Sequence, residues 1–285
     1  MRTYDQMLHH LIGEALKEDI GDGDHSTLSC IDAQATGKAV LKIKQGGILA
    51  GVSVAEKIFK MVEPSSTFTA LKRDGDEMKY GDRAFTVSST IQTILQCERL
   101  VLNIMQRMSG IATLTHQYSS LLKGYHSKIL DTRKTTPNFR LLEKEAVKIG
   151  GGYNHRFALY DMIMLKDNHI DYCGGIEKTI EKAWLYTVEN KPGLRIEVET
   201  RNLEDVQKVI AVGEGKVFRI MLDNFTPGLI SEALQLINGR FETEASGGIN
   251  LDNIVEYAKT GVDYISVGAL IHQAKSVDLS LKAEV

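Results

Sequence analysis

From Ser127 onward the chain repeats one pattern: a short apolar, β-rich run, a polar or glycine residue at its end, then an amphipathic helical stretch. The runs are KILDTRK, MIMLKDNH, RIEVETR, FRIMLDNF, FETEASGG and YISVGAL. They end at Lys134, Lys166, Glu199, Asp223, Ser246 and Gly268, spaced 32, 33, 24, 23 and 22 residues apart. Each interval holds one strand and one helix. Strands joined by helices run parallel, because a crossover must carry the chain back to the same end of the sheet. The pattern predicts a (β/α) barrel, in which the C-terminal strand ends meet on one face. Six runs rather than eight mean an incomplete barrel or further short strands; a doubly wound open sheet is the alternative.

The residues before Ser127 follow a different grammar. An amphipathic N-terminal pattern runs into a Gly-rich turn at EDIGDGDHST. GKAVLKIKQGGILAGV, STFTALKRDGDEMKYGD and RAFTVSSTI then alternate and turn at Gly and Asp, which predicts a mostly antiparallel sheet. A long helix is expected from about Ile94 to Gly124, with Leu95, Val101, Leu102 and Met105 at helical spacing.

The strand ends carry the chemistry. Arg133, Lys134, Arg156 and Lys166 are cations, with His155 beside Arg156; Glu199 and Asp223 are anions. The formal charge of the whole chain is −3 and it holds no basic block. Nucleic acid is therefore not an expected partner, and an anionic ligand must be held by this local cluster. Gly247 and Gly248 precede a helix expected to start near Asn250, and the last two strand ends, ASGGI and SVGAL, are small and Gly-rich. Backbone N–H groups free of side chains bind phosphate, and barrel phosphate sites use the last two loops. Glu199 and Asp223 would oppose an anion unless they hold a divalent metal, bind sugar hydroxyls or stabilise a cationic transition state. A phosphorylated sugar carrying a metal-bound pyrophosphate meets all three conditions.

These residues also resemble a known family. DTRKTTPNFRLLEKEAVKIGGGYNHRFALYDMIMLKDNHI, EVET, MLDNF, EASGGIN and DYISVGAL are similar to quinolinate phosphoribosyltransferases, the carboxylating nicotinate-nucleotide pyrophosphorylases. EDIGDGDHST and CERLVLNIMQRMSGIAT resemble the family's N-terminal signatures, so the likeness spans nearly the whole chain. The resemblance implies an α/β fold, with an N-terminal α/β sandwich domain over 1–112, joined by the tail 271–285, and an incomplete, seven-stranded α/β barrel over 113–270. It implies transfer of phosphoribosyl from 5-phosphoribosyl-1-pyrophosphate to quinolinate with decarboxylation, as in de novo NAD biosynthesis, and a need for Mg²⁺. It carries Arg133, His155, Arg156 and Lys166 to quinolinate. It sets Lys134 and Lys166 toward the donor, with Ser246, Gly247, Gly248, Val267, Gly268 and Ala269 around its 5-phosphate, and counts Thr132 among the substrate-binding residues. Lys134, Lys166, Glu199 and Asp223 become the catalytic set, and Glu199 and Asp223 the Mg²⁺ ligands. Arg99 corresponds to an arginine that reaches the neighbouring active site in a homodimer or larger homo-oligomer. Asn138 stands where the family often has Gly, and a similar turn is expected because Asn tolerates left-handed φ. FALYD departs from the family's more usual LGLSD.

Other readings compete at several positions. Arg133–Lys134 alone is an ordinary solvated strand end. Glu199 has Arg195 and Arg201 nearby in sequence for a structural ion pair, and Glu197 lies two residues away on the same face. Asp223 is placed to cap a helix. His169 is expected to be structural. DGDHST has alternating aspartates without the remainder of a Ca²⁺ loop and reads as a turn followed by a Ser/Thr cap. Met78–Lys79 resembles a biotin-carrier dipeptide, but Lys79 is expected to be an ordinary exposed lysine. Cys30, Cys97 and Cys173 are scattered and odd in number, which suits a reduced protein without structural zinc. No signal-peptide h-region or membrane-length apolar run appears, so a cytoplasmic protein without membrane association is expected. A homologue acting on another pyridine acid, or an inactive phosphosugar binder, would be expected to lose some of these residues; all are present.

Overall fold

The computed structural model describes residues 2–284. Their contacts divide them into two units. The first takes in the residues up to His116, Thr135–Gly151 and the segment from Leu270 on; the second is Gln117–Lys134 with Gly152–Ala269.

The first unit opens with α1 (Tyr4–Ile20) and α2 (His25–Cys30). Thr3 and Gln6 form a reciprocal capping box at the start of α1, which satisfies two otherwise orphaned N–H groups. Gly21 ends that helix at φ 57°. The expected Ser/Thr cap of the following turn is instead Asp24, whose carboxylate accepts both the N–H and the hydroxyl of Thr27. Asp ranks with Ser and above Thr at an N-cap, and its charge also complements the positive helix end.

β1 (Thr36–Ile43), β2 (Gly47–Ile48), α3 (Val52–Val62), β3 (Thr67–Ala70), β4 (Glu77–Met78) and β5 (Arg83–Thr90) follow. The alternation seen in the sequence is realised as an antiparallel pairing of β1 with β5 and of β5 with β3. Phe68 of β3 and Phe85 of β5 pack with Phe59 of α3, ring centroids 4.5–6.2 Å apart, a spacing that favours aromatic pairs. Lys79 is exposed, as read from the sequence. Helix α4 (Ile91–Leu121) starts and ends about three residues earlier than its periodicity suggested.

The second unit is a parallel sheet. Its strands are β6 (Lys128–Leu130), β7 (Ile163–Leu165), β8 (Ile196–Thr200), β9 (Arg219–Asp223), β10 (Glu242–Ser246) and β11 (Tyr264–Ser266). They lie in the order β6-β11-β10-β9-β8-β7, and every pairing is parallel. All six apolar runs are therefore strands. Tyr153 makes a single parallel bridge to Leu130 on the outer side of β6. This is the seventh stave, reduced to one residue; GGGYNHR has no apolar run to announce it. Helix α5 (Arg140–Ile149) groups with the first unit, although it lies between β6 and β7 in sequence.

Helices α6 (Asp167–Cys173), α7 (Ile176–Asn190), α8 (Leu203–Val212), α9 (Pro227–Ile237) and α10 (Ile254–Ala258) alternate with the barrel strands. Helix α10 begins four residues later than expected, with Asn250–Asn253 forming turns, so Gly247 and Gly248 do not open a helix. The chain closes with α11 (Ala269–His272) and β12 (Leu279–Ala283), and β12 pairs antiparallel with β1 over five residues. No helix among the described residues is long and apolar enough to cross a membrane.

Candidate active site

A parallel strand buried on both faces still alternates its side chains, so residues two apart point into the same interior. The register stacks these into layers. Glu242 pairs with Arg219, Glu244 with Met221, and Ser246 with Asp223 along β10 and β9; Glu199 pairs with Met221 across β8 and β9. The uppermost layer lines a cavity of about 440 Å³ within the second unit.

One wall of that cavity is cationic. Thr132, Arg133 and Lys134 follow β6, His155 and Arg156 follow the Tyr153 bridge, and Lys166 follows β7. Arg156 Nη1 donates to the carbonyl of Met162 at 2.9 Å, which fixes its side chain. Burial, and then the neighbouring charge of Arg133, hold the Arg156 guanidinium below its ordinary pKa. Two cations that disfavour each other are a standing demand for an anion. Lys166 caps α6 and its amide donates to His169 Nδ1 at 3.0 Å, so His169 has the structural task expected of it.

The other wall is acidic. Glu199 is 7% exposed and accepts from Lys166 Nζ at 2.8 Å. Its alternative partners are engaged elsewhere: Arg195 stacks on Phe218, and Arg201 pairs with Asp171 and Asp205. Asp223 accepts from Ser246 Oγ at 3.0 Å and from Asn224 Nδ2 at 2.7 Å. It does not cap the next helix; Thr226 does, accepting from Leu229 N. Met164 and Met221 supply apolar surface between the two walls.

The structure thus brings Thr132, Arg133, Lys134, His155, Arg156, Lys166, Glu199, Asp223 and Ser246 to one cavity. Gly247, Gly248, Val267, Gly268 and Ala269 follow the strand ends and are not part of its walls. Gly247 and Gly248 have φ of 95° and 65°, and the side chain of Asn224 occupies the space a Gly247 Cβ would need. Val267 is buried and donates to the Leu130 carbonyl. Arg99 is an exposed residue of α4 in the first unit. Asn138 adopts φ 61°, the left-handed turn expected of it. The segment FALYD is closed by Asp161, whose carboxylate accepts the N–H groups of Phe157 and Ala158.

Sequence reasoning missed Asp167, Glu244 and Ser266 on the cavity wall, and undervalued Glu197 just beneath it. Glu197 and Glu244 are wholly buried. His155 Nε2 lies 3.0 Å from Glu197 and 3.4 Å from Glu244. Arg219 Nη1 lies 2.8 Å from Glu244 and 3.9 Å from Glu197, with its guanidinium 4.1 Å from the Tyr264 ring centroid. Burial works against charge on His155, but the hydrogen bonds and charges of the two glutamates prevail and raise it to about 9. Burial, then the charge of Glu244, pushes Glu197 above the usual carboxylate range. Burial also works to raise Glu244, but the His155 hydrogen bond and charge, with Arg219, hold it low. The signal was available: Glu197 and Glu244 each stand two residues before a strand-end residue, Glu199 and Ser246, on the same face of the strand.

Comparison with known proteins agrees with this arrangement. Residues 24–109 match the family described as quinolinate phosphoribosyl transferase, N-terminal domain, and residues 111–282 match its C-terminal domain. The chain is 43% identical to a chloroplastic nicotinate-nucleotide pyrophosphorylase [carboxylating] of Oryza sativa subsp. japonica, over 99% of this chain and 78% of that protein. It is 40% identical to a probable nicotinate-nucleotide pyrophosphorylase [carboxylating] of Bacillus subtilis, over 96% of this chain and 92% of that one. The crystal structure of NadC from Streptococcus pyogenes superimposes with a TM-score of 0.90 at 39% identity, covering 100% of this chain and 99% of that chain.

Proposed function

The chain belongs to the quinolinate phosphoribosyltransferase family, and from that premise we propose that its barrel cavity moves the phosphoribosyl group of 5-phosphoribosyl-1-pyrophosphate onto quinolinate. The products are nicotinate mononucleotide, pyrophosphate and carbon dioxide. The observation that carries this reading is the single cavity in which Arg133, Arg156, Lys134 and Lys166 face Glu199 and Asp223.

Quinolinate carries two carboxylates, and Arg133, Arg156 and His155 on one wall suit it. Lys134 and Lys166 suit the phosphates of the donor, with Ser246 and the Gly247, Gly248, Val267, Gly268 and Ala269 segments about its 5-phosphate. Charge-assisted hydrogen bonds contribute about 1.5–3 kcal/mol each, so several are needed to desolvate such anions. As pyrophosphate leaves, positive charge grows at C1 of the ribose, and Glu199 and Asp223 are the groups placed to stabilise it. The pyridine nitrogen bonds to C1. When the C2 carboxylate departs as carbon dioxide, its bonding electron pair stays on C2, stabilised by the adjacent positive nitrogen, and takes up a proton.

Glu199 and Asp223 end adjacent strands and offer carboxylate oxygens, the donor set that Mg²⁺ prefers. They would hold the ion, which would offset the charge of the departing pyrophosphate. Activity lost on chelation and restored by Mg²⁺ is the expected outcome. Arg99, exposed on α4, is proposed to complete the quinolinate site of a second copy in a homodimer or larger assembly. Cytoplasmic location also belongs to the proposal, supported by scattered unpaired cysteines.

The deciding experiment incubates the enzyme with Mg²⁺, donor and quinolinate and follows nicotinate mononucleotide. Product is expected with quinolinate and none with nicotinate. Turnover of nicotinate alone, or of neither acid, would overturn the proposal.

A further inference from the structure

The buried cluster at the floor of the cavity holds more acidic than basic side chains, an imbalance that a proton on His155 reduces. Glu197 comes from β8, Arg219 from β9, Glu244 from β10, and all three are buried. Arg219 pairs with Glu244 and also with Glu242 at 2.8 Å, so one cation faces three glutamates, of which burial and the charge of Glu244 push Glu197 toward its neutral form. A net charge in a low-dielectric interior is costly, so the cluster favours a second cation, an imidazolium at His155. The other charged groups about the ring are engaged elsewhere. Asp131, following β6, accepts the backbone N–H of His155 at 2.8 Å, and Arg156 donates to Met162 O. Ser266 of β11 is neutral and hydrogen-bonds Glu244.

The geometry also says where the added proton would act. Nε2 already faces the two glutamates. Nδ1 lies 2.8 Å from the Arg156 backbone nitrogen and accepts its N–H. A proton on Nδ1 displaces that hydrogen bond and leaves two neighbouring donors, Nδ1–H and the Arg156 N–H, on residues that line the cavity. One carboxylate oxygen can accept both, and a charged donor makes the stronger bond.

We propose that Glu244 is a positioning residue that supplies the counter-charge for a proton on His155, so that the imidazolium and the Arg156 amide together receive one carboxylate oxygen of the acid substrate. This rests on the proposed function only for the identity of that acid. Glu244 lines the cavity but has no exposed surface; in this account it acts through His155, and Arg219 holds it in place.

The test is Glu244→Gln, which keeps the shape and removes one negative charge. The ring then faces one negative charge fewer, so it holds a second proton less tightly. The ring of His155, assigned by its loss in His155→Asn, is followed by NMR against pH without any substrate. It is expected to titrate near 9 in the wild-type protein and to fall toward the ordinary 6.5 in Glu244→Gln. At pH 7.5 the quinolinate KM is expected to rise about tenfold in the variant, with the donor KM within twofold. The alkaline limb of kcat/KM for quinolinate moves to lower pH. A wild-type His155 that titrates near 6.5 overturns the proposal even if the variant fails to fold. So does a variant in which both KM values rise alike while the titration stays in place. Absence of quinolinate turnover by the wild-type enzyme would strike the proposed function instead, and the substrate-free titration would still be readable.

Discussion

Replacing Gly247 by alanine should damage the site in a way that its neighbour Gly248 does not. Gly247 sits just past Asp223's partner Ser246, at φ 95°, and a Cβ there would lie 2.2 Å from Asn224 Oδ1, 2.7 Å from Cγ and 3.0 Å from the backbone nitrogen. The nitrogen cannot retreat, because its N–H donates to the Ser246 carbonyl at 2.8 Å. The Asn224 side chain must therefore turn, which breaks its 2.7 Å hydrogen bond to Asp223. The left-handed backbone costs an L-residue about 1–2 kcal/mol. Loss of a hydrogen bond to a charged group adds about 1.5–3 kcal/mol, for a total of roughly 2.5–5 kcal/mol. Gly248 has φ 65° with no atom within 4 Å of a built Cβ, so Gly248→Ala carries the backbone cost alone, about 1–2 kcal/mol. Denaturant unfolding of the two variants measures the difference. Steady-state turnover should fall further in Gly247→Ala, where Asp223 loses a partner, than in Gly248→Ala, where Asp223 keeps it. Equal stability losses with equal turnover would refute the reasoning.

Other expected outcomes follow from the same coordinates. Lys134→Ala removes the charged contact proposed to hold the donor, so kcat/KM for 5-phosphoribosyl-1-pyrophosphate should drop about 10- to 150-fold; wild-type efficiency would sink that assignment. Arg99→Ala should abolish quinolinate binding. Mixed with Lys166→Ala in dimers that exchange subunits, it should recover part of the activity; no recovery would argue against a shared site. Arg107 donates to Glu143, which has no exposed side-chain surface, and to the carbonyls of Ile271 and Ala274. Arg107→Met leaves that carboxylate buried without its cation, so denaturant unfolding should show a loss of about 3–5 kcal/mol. A loss under 1 kcal/mol would mean that Glu143 finds another partner in Thr136, whose N–H and hydroxyl already donate to it.

Much of this was legible before any coordinates. Strand ends announce themselves locally: an apolar run stops, and a charged or small residue follows. Lys166, Glu199, Asp223 and Ser246 were found that way, and Asn138 by its tolerance of positive φ. Tyr153 escaped because a one-residue bridge has no period to detect. The helix expected near Asn250 starts at Ile254 because Asn250 and Asn253 spend their side chains on local turns, Asn253 Oδ1 accepting the Asn250 N–H.

The sequence by itself determined that six parallel strands would form and about where each would end, since both follow from periodicity along a few neighbouring positions. Asp223 and Ser246 close theirs, whereas Lys134, Lys166 and Gly268 lie one to four residues past the strand end and Glu199 one before it. Only the tertiary structure decided that Glu197, Arg219, Glu244 and His155 meet beneath that surface. Their meeting depends on the stagger of four separate segments, and a shift of one residue in any strand would turn its interior side chain to the opposite face.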